Sequence, residues 1–324
     1  MKRIIAIVAG GDSSEFPVSL RSAQGIYSFI DKDKYEVYIV EMKGLCWEVV
    51  LPDNTKVSID RNDFSFICQE KKKVFDFAYI IIHGTPGENG ILQGYFDLLH
   101  IPYSTCDVLA SALTFNKFAL NHYLKGFGIR IAESLMVREG FEITDQEVID
   151  KIGLPCFIKP NEGGSSFGVT KVKTAEEIQP AIRKAMNESP EVMIEAFMAG
   201  TEITCGCYKT KTKEVVFPIT EVVSKNEFFD YAAKYDGESR EITPARLDED
   251  VTERVKLLTS AIYDILGCEG IIRVDYIITE GGKINLLEVN TTPGMTETSF
   301  IPQQVRAAGM EMKDVLTDII ENKF

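Results

Sequence analysis

The chain has few of the residues that bind metals through sulfur or imidazole. Among its 324 residues are three histidines and seven scattered cysteines, and no two cysteines form a CxxC pair. Zinc sites and disulfide frameworks both need closely spaced or paired cysteines. We therefore expect seven buried, reduced thiols, among them Cys205 and Cys207, which alternate as residues on a strand do.

Long hydrophobic runs and an excess of positive charge are also missing. No stretch approaches the ~18 apolar residues of a transmembrane helix. The apolar run at residues 4–8 is too short for a signal peptide and is soon followed by Asp12 and Glu15. The 35 Lys and Arg residues against 49 Asp and Glu residues give a formal net charge of −14. We predict a cytoplasmic protein without nucleic-acid or membrane partners. The negative net charge of the whole chain still allows a local basic pocket that binds an anion.

The residues that are present indicate an α/β protein. The length corresponds to about two domains at roughly 150 residues each. Strand and helix patterns alternate in the first third, which favours an open, mostly parallel sheet with ligands at the carboxyl ends of its strands. The predicted strands there are 4–8, 35–40 and 77–82, and the predicted helices are 19–30 and 90–99.

The remaining two thirds also mix helix and strand patterns. Helices are predicted over 111–125, 145–152, 175–186, 250–266 and 312–320. Strands are predicted over 135–137, 157–159, 169–172, 192–195, 202–209, 215–221, 270–279 and 283–288, with the last two forming a hairpin. The segment 227–240 is polar and aromatic, and we expect an irregular closing segment there.

A glycine-rich segment between two predicted strands is the first functional candidate. It reads KPNEGGSSFG over residues 159–168. Glycines let backbone amides approach a phosphate, serines add hydroxyl donors, and Lys159 adds positive charge. The segment is not a P-loop, since no Gly-Lys-Ser/Thr opens a helix. A phosphate-binding flap and a plain hairpin turn remain the two interpretations.

The predicted C-terminal hairpin places a second set of polar residues together. Arg273 and Asp275 share one face of their strand, and Glu288 and Asn290 share one face of theirs, because residues two apart on a strand face the same way. Three oxygen ligands and one guanidinium can thus converge, a set that suits Mg²⁺ beside nucleotide phosphates. A cross-strand salt bridge is the alternative, but the following TTPGM at 291–295 favours the metal site.

Together these segments resemble the ATP-grasp superfamily and, within it, the D-alanine–D-alanine ligase family. Further matching segments are GGDSSEFPVS at 10–19, HGTPGENGILQG at 83–94 and FDYAAKY at 229–235. The resemblance covers nearly the whole chain, in order. It implies an ATP-grasp fold: an N-terminal parallel-sheet domain over 1–106 that binds substrate, a central subdomain over 107–197, and a C-terminal subdomain over 198–324 that carries the metal and catalytic residues.

The resemblance also implies an activity. One D-alanine is phosphorylated by ATP on its carboxylate, and the amine of a second D-alanine attacks the acyl phosphate to give a dipeptide for peptidoglycan synthesis. A D-alanine–D-lactate ligase, another ATP-grasp carboxylate–amine ligase and a non-catalytic nucleotide-binding protein are the alternatives. The family further implies a homodimer formed through the N-terminal domain.

The amino-acid subsites are implied by matching positions. Glu15 matches the carboxylate that binds the first ammonium group, in a network with Ser165 and Tyr235. The other matches are His83 near the first amino acid, Ser299 at the carboxylate of the second, and Arg273 with the amide of Gly294 at the oxyanion of the tetrahedral intermediate. For His83 the alternative is a histidine that caps a strand end.

The nucleotide and metal subsites are implied in the same way. The positions matching ATP-binding residues are Lys117, Lys159, Ser165, Ser166, Glu195, Phe197, Met198, Glu202 and Lys234. For Phe197 and Met198 the alternative is ordinary core packing. Asp275, Glu288 and Asn290 match the ligands of Mg²⁺ or Mn²⁺, with two ions implied.

Tyr235 is the position that separates dipeptide from ester formation in this resemblance, where tyrosine accompanies the dipeptide and phenylalanine the ester. We predict that Tyr235→Phe shifts the product towards D-alanyl-D-lactate. The measurement is the product ratio at neutral pH with D-alanine and D-lactate both present, and an unchanged ratio would contradict the prediction.

Overall fold

The computed structural model describes residues 2–164, 167–224 and 239–324, except for the side chains of Ser224 and Ser239. Its helices are α1 (Phe16–Phe29), α2 (Ile91–Leu99), α3 (Val108–Phe115), α4 (Lys117–Lys125), α5 (Asp145–Lys151), α6 (Ile178–Met186), α7 (Glu249–Ile265), α8 (Phe300–Ala307) and α9 (Met312–Glu321). Its strands are β1 (Arg3–Gly10), β2 (Tyr35–Lys43), β3 (Cys46–Val50), β4 (Lys56–Ser58), β5 (Ser65–Cys68), β6 (Lys71–Val74), β7 (Phe77–Ile80), β8 (Ser134–Arg138), β9 (Cys156–Pro160), β10 (Thr170–Val172), β11 (Glu191–Ala196), β12 (Gly200–Lys209), β13 (Glu214–Val216), β14 (Thr220–Ser224), β15 (Ser239–Ile242), β16 (Ile271–Thr279) and β17 (Lys283–Asn290).

The N-terminal sheet has the order β4-β3-β2-β1-β7. Its centre is parallel as predicted, because β1 pairs in parallel with both β2 and β7. The expectation of a mostly parallel sheet is too simple at one edge, where β3 and β4 add in antiparallel fashion. Gly44 and Asn54 reverse the chain there in left-handed backbone conformations, which tight turns favour. The predicted first helix also begins earlier, at Phe16, with a proline in its first turn.

The central sheet is antiparallel throughout and has the order β10-β9-β11-β8. Its core includes Ile158, Val192 and Ile194 from the strands and Ile178 and Ile182 from α6. Because β9 and β10 pair with each other, the glycine-rich segment connects two adjacent strands, as predicted.

The C-terminal sheet has the order β15-β14-β12-β16-β17, with β13 also paired to β12. The predicted hairpin is confirmed, and Gly281 and Gly282 turn it with positive φ angles. The single strand predicted over 215–221 is wrong, since the chain forms β13 and β14 with Pro218 between them. Proline cannot donate a ladder hydrogen bond. Helix α8 had no counterpart among the sequence predictions.

The helix predicted over 111–125 is two helices, α3 and α4. Asn116 separates them with an extended backbone, and its side-chain oxygen accepts a hydrogen bond from the amide of Ala119 at 3.0 Å. Asparagine is a favoured N-cap residue, and this cap places Lys117 at the first position of α4.

One hydrophobic core joins the two ends of the chain. Ile5 and Ile26 of the N-terminal domain pack in one buried cluster with Ile301, Val305 and Leu316 of α8 and α9. The domain boundaries at 106/107 and 197/198 stay predictions.

The seven cysteines are all free, as expected, but the expectation that all are buried is wrong. Cys46 is exposed at the start of β3, and Cys68 is half-buried. Within the described ranges, no helix is both long and apolar enough to cross a membrane.

Gln304 fixes α8 against the C-terminal sheet, and we predict that Gln304→Leu destabilises the protein. The side chain is 0% exposed. It accepts from the Gly206 amide at 2.9 Å and donates to the Thr204 carbonyl and the Thr220 hydroxyl at 3.0 and 3.1 Å. Buried groups left without partners should lower the free energy of unfolding by about 2–4 kcal/mol.

Urea denaturation is the measurement for this prediction. Gln146→Leu, at an exposed position of α5, is the matched control and should leave stability nearly unchanged. Equal free energies of unfolding for Gln304→Leu and the control would contradict the role given to Gln304.

Candidate active site

Two adjoining cavities of about 350 and 260 Å³ lie where the three sheets meet. We call the larger one cavity A and the smaller one cavity B. The two share part of their walls: Lys117, Gly163, Gly164, Arg273, Glu288 and Phe300. Two molecules bound in these cavities would therefore meet at a wall that carries two cations and a carboxylate.

Cavity B has an aromatic, apolar end. Phe157, Phe197, Met198 and Leu287 line it, and the Lys171 ammonium lies 4.0 Å from the centroid of the Phe197 ring. Flat apolar walls of this kind suit a planar aromatic base.

Cavity B also contains a pair of opposite charges beside these aromatic residues. Lys159 pairs with Glu195 at 2.7 Å, and their side chains are only 14% and 4% exposed. Asn121 donates to the other oxygen of Glu195 at 3.4 Å. Because β9 and β11 are neighbours and Lys159 pairs with Met193, this lysine extends from the middle of the central sheet and is held in place by its partner.

Lys117 reaches the junction of the cavities from the first position of α4. Its Nζ donates to the carbonyl of Gly163 at 2.5 Å, so the helix holds the glycine-rich segment. Burial lowers the pKa of Lys117, although Glu288 opposes this effect. An anion at this position would therefore meet a partly buried ammonium group.

The C-terminal hairpin supplies the charged centre of the junction. Arg273 stands opposite Asn290 and Asp275 opposite Glu288. The guanidinium of Arg273 binds both oxygens of Asp275 at 2.9 and 2.7 Å and lies 3.8 Å from Glu288. Asn290 donates to both carboxylates at 3.2 and 3.4 Å, and Thr204 of β12 donates to Asp275 at 2.5 Å.

The loop between β17 and α8 forms another wall of cavity A. Ser299 is the N-cap residue of α8, and its hydroxyl accepts from the Thr296 amide at 3.0 Å. A Cβ placed on Gly294 would lie 3.1 Å from that hydroxyl. Helix α1 of the N-terminal domain packs closely against this loop. A Cβ on Gly25 of α1 would lie only 2.1 Å from the carbonyl oxygen of Met295, so only glycine leaves room for the loop there.

The N-terminal domain contributes Glu15 and His83, which follow β1 and β7 at the carboxyl edge of the sheet. A Cβ on Gly164 would lie only 2.5 Å from Oε2 of Glu15, so this carboxylate meets the backbone of the glycine-rich segment. Burial lowers the pKa of His83, although nearby Glu15 opposes this effect. The Nε2 atom of the imidazole lies 3.3 Å from the Ser22 hydroxyl.

Two carboxylates in cavity A had no predicted role. Glu88 accepts from the Gly84 amide at 2.7 Å, and Glu241 lies on β15 near Arg273. Glu88 stands inside the matched segment 83–94, so its position was visible in the sequence. Glu241 belongs to no motif, and only the pairing of β15 with β14 brings it to the cavity.

All predicted site residues within the described ranges line these two cavities. In cavity A are Glu15, His83, Lys117, Arg273, Glu288, Asn290, Gly294 and Ser299. In cavity B are Lys117, Lys159, Glu195, Phe197, Met198, Glu202, Arg273, Asp275 and Glu288. Ser165, Ser166, Lys234 and Tyr235 lie outside the described residues, as does most of the closing segment expected over 227–240.

A cleft lined by aromatic side chains and by lysine and arginine side chains, between two α+β units with antiparallel sheets, is the arrangement of the ATP-grasp class of proteins. Models of the D-ala D-ala ligase N-terminus and C-terminus match residues 4–106 and 123–321. The chain belongs to the D-alanine–D-alanine ligase family, which confirms the resemblance seen in the sequence.

Individual relatives agree with this assignment. A D-alanine–D-alanine ligase of Phocaeicola vulgatus is 80% identical, with both chains covered completely. The crystal structure of D-alanyl-alanine synthetase A from Vibrio cholerae has a TM-score of 0.88 at 29% identity, covering 99% of this chain and 98% of the other. The D-alanine–D-alanine ligase of Bacillus anthracis complexed with ATP has a TM-score of 0.78 at 29% identity, covering 99% and 96%.

Glu88 predicts a pH dependence of stability. Burial, together with nearby Glu15, raises the pKa of Glu88 from 4.5 to about 7. Between these values the folded state binds more protons than the unfolded state, so stability falls as the pH rises through this window. We expect Glu88→Gln to raise the melting temperature of the ligand-free protein at pH 8 and to have little effect at pH 5.

Thermal unfolding of both proteins at the two pH values is the measurement. Glu142→Gln, at an exposed position with the same change of charge, is the control. A difference between Glu88→Gln and wild type that is the same at pH 5 and pH 8 would show that the Glu88 carboxyl does not carry the penalty.

Proposed function

We propose that the protein is an ATP-dependent, ADP-forming ligase that joins two D-alanines into D-alanyl-D-alanine for peptidoglycan precursor synthesis. The observation that carries the proposal is the shared wall of the two cavities. A nucleotide in cavity B directs its phosphates towards Lys117 and Arg273, and an amino acid in cavity A meets the same two cations. This is the geometry that transfer of a phosphoryl group from one ligand to the other requires.

The chemistry explains why such a wall is needed. A carboxylate is a poor electrophile, so one of its oxygens first attacks the γ-phosphorus of ATP, and ADP leaves. The ammonium group of the second amino acid gives up one proton to solvent, and the resulting amine attacks the carbonyl carbon of the acyl phosphate, with its second proton leaving on the phosphate. The tetrahedral intermediate expels inorganic phosphate, and the negative charge that develops needs fixed cations and amide donors. Arg273 and the Gly294 amide supply these groups.

The nucleotide is bound along the length of cavity B. Phe197 and Met198 hold the adenine, Glu195 lies in the same wall, and Glu202 accepts from the ribose hydroxyls. Lys117 and Lys159 bind the phosphates, and the low exposure of the Lys159–Glu195 pair supports a fixed position for this charge. Ser165, Ser166 and Lys234 join the phosphate subsite on the strength of the family resemblance.

The donor set at the hairpin fits Mg²⁺ or Mn²⁺. Asp275 and Glu288 stand directly opposite each other, Asn290 contacts both, and all three offer the hard oxygen atoms that these ions prefer. Two ions bound there would neutralise charge on the phosphates during transfer. Asp275 also binds the Arg273 guanidinium and so fixes its position at the junction.

In cavity A, Glu15 binds the ammonium group of the first D-alanine, and His83 lies beside the same amino acid. The carboxylate of the second D-alanine is bound by the hydroxyl of Ser299 and by Arg273. Tyr235 and Ser165 complete the network with Glu15 on the basis of the resemblance. The alternative of a D-alanine–D-lactate ligase has no support from the described side chains.

We also propose a homodimer in the cytoplasm. Ile91 and Leu98 of α2 and Leu109 of α3 are exposed on neighbouring helices of the N-terminal side. Exposed apolar surface of this kind is typical of an interface, which supports the homodimer. The free cysteines and the use of ATP agree with a reducing compartment, which supports the cytoplasm.

Phosphate release tests the proposed function. With ATP and Mg²⁺, we expect D-alanine to stimulate release strongly, whereas L-alanine and buffer alone should not. Arg273→Ala should lower turnover about 10²–10³-fold, because the intermediate loses its main cationic partner.

Arg254→Ala, at an exposed position on α7, is the matched control and should keep wild-type turnover. Phosphate release that is independent of D-alanine would refute the proposed reaction. Near-normal turnover in Arg273→Ala would refute only the role of Arg273.

A further inference from the structure

Among the described residues of cavity A, those with a proposed role leave one charged group of the two substrates without a partner. Two zwitterionic amino acids bring two ammonium groups and two carboxylates. Under the proposed function, Glu15 binds the first ammonium, and Arg273 with Ser299 binds the second carboxylate. Desolvating the second ammonium without an anionic partner would be costly, so a further carboxylate on the Ser299 side of cavity A would stabilise it.

Three further carboxylates line this cavity: Glu88, Glu241 and Glu288. Glu88 accepts from the Gly84 amide and lies beside Glu15, on the side of the first amino acid. Glu288 is contacted by Asn290 and belongs to the proposed metal site. Glu241 is the remaining carboxylate of the three, and it lies on the side of the second amino acid.

The contacts of Glu241 fix its position. The side-chain amide of Gln303 donates both to Oε2 of Glu241 and to the carbonyl oxygen of Thr298, the latter at 2.7 Å. Gln303 thereby ties the carboxylate to the loop that ends at Ser299. Among the described residues, no side chain or amide donates to Oε1 of Glu241, the second oxygen of this carboxylate in the cavity wall.

We infer that Glu241 binds the ammonium group of the second amino acid and thereby favours amino acids over hydroxy acids as acceptors. This inference rests on the proposed ligase function. Burial raises the pKa of the Glu241 carboxyl, against the opposing effects of Gln303 and Arg273, and a bound ammonium group would compensate that burial. A hydroxy acid offers no such cation and gains nothing from the carboxylate.

Glu241→Gln separates charge from shape. Glutamine keeps the size of the side chain and an oxygen that can accept from Gln303, but it carries no charge. We expect the KM for the second D-alanine to rise about tenfold or more, as for the loss of a hydrogen bond to a charged group. The KM values for ATP and for the first D-alanine should stay within about twofold, and the product formed from equal D-alanine and D-lactate should shift towards the ester.

Three further variants of the full chain complete the experiment. Glu249→Gln removes the same charge from an exposed position in α7 and should match wild type. Gln303→Ala removes the hydrogen bonds from Gln303 to Glu241 and to the Thr298 carbonyl but leaves the Glu241 carboxylate in place. The product ratio should therefore change less than in Glu241→Gln. Glu241→Asp keeps the charge and should keep the product ratio near that of wild type, and thermal melting checks that each variant is folded.

The outcomes separate this inference from the proposed function. An active Glu241→Gln enzyme with an unchanged acceptor KM and an unchanged product ratio would overturn the inference and leave the ligase function standing. A similar loss in every KM, matched by Gln303→Ala, would show that Glu241 only positions the loop and would also overturn it. A wild-type protein that makes no dipeptide from D-alanine would overturn both.

Discussion

The buried ion pair between Arg273 and Asp275 is the interaction on which the candidate site depends. The two side chains are 14% and 13% exposed and share two hydrogen bonds, so neither charge is well solvated by water. Removing one partner of such a pair typically costs about 3–5 kcal/mol, since the other charge remains buried. The pair therefore keeps the Arg273 guanidinium at the junction of the cavities, with little water around it to screen its charge.

The register of the β16–β17 hairpin makes this arrangement possible. A slip of one residue would turn every side chain of one strand to the other face of the sheet. Asp275 would then no longer face the cavities together with Glu288. Thr204 on the neighbouring strand β12 adds a further hydrogen bond to Asp275, so three adjacent strands determine where the charges lie.

Charge is distributed unevenly over the molecule, and this explains the acidic composition only in part. The chain carries a net charge of −14, yet Lys117, Lys159 and Arg273 converge on one cleft. Each of these cations has a nearby acidic group or carbonyl oxygen, so the cleft is a set of paired charges and not a basic patch. Such a site can bind phosphates and zwitterions without attracting polyanions to the whole surface.

Local patterns and motifs in the sequence were enough to predict the class of fold, the glycine-rich connection, the C-terminal hairpin and a set of site residues whose described members all line the two cavities. The sequence could not show that 46–74 returns as antiparallel strands, that Pro218 divides a strand, or that a helix follows Ser299, since pairing and packing with distant segments decide these points. Strand pairing alone brought Glu241 to cavity A. Burial and the proximity of other charges arise from folding, so a carboxylate outside any motif is identified as part of a site only when its surroundings are known.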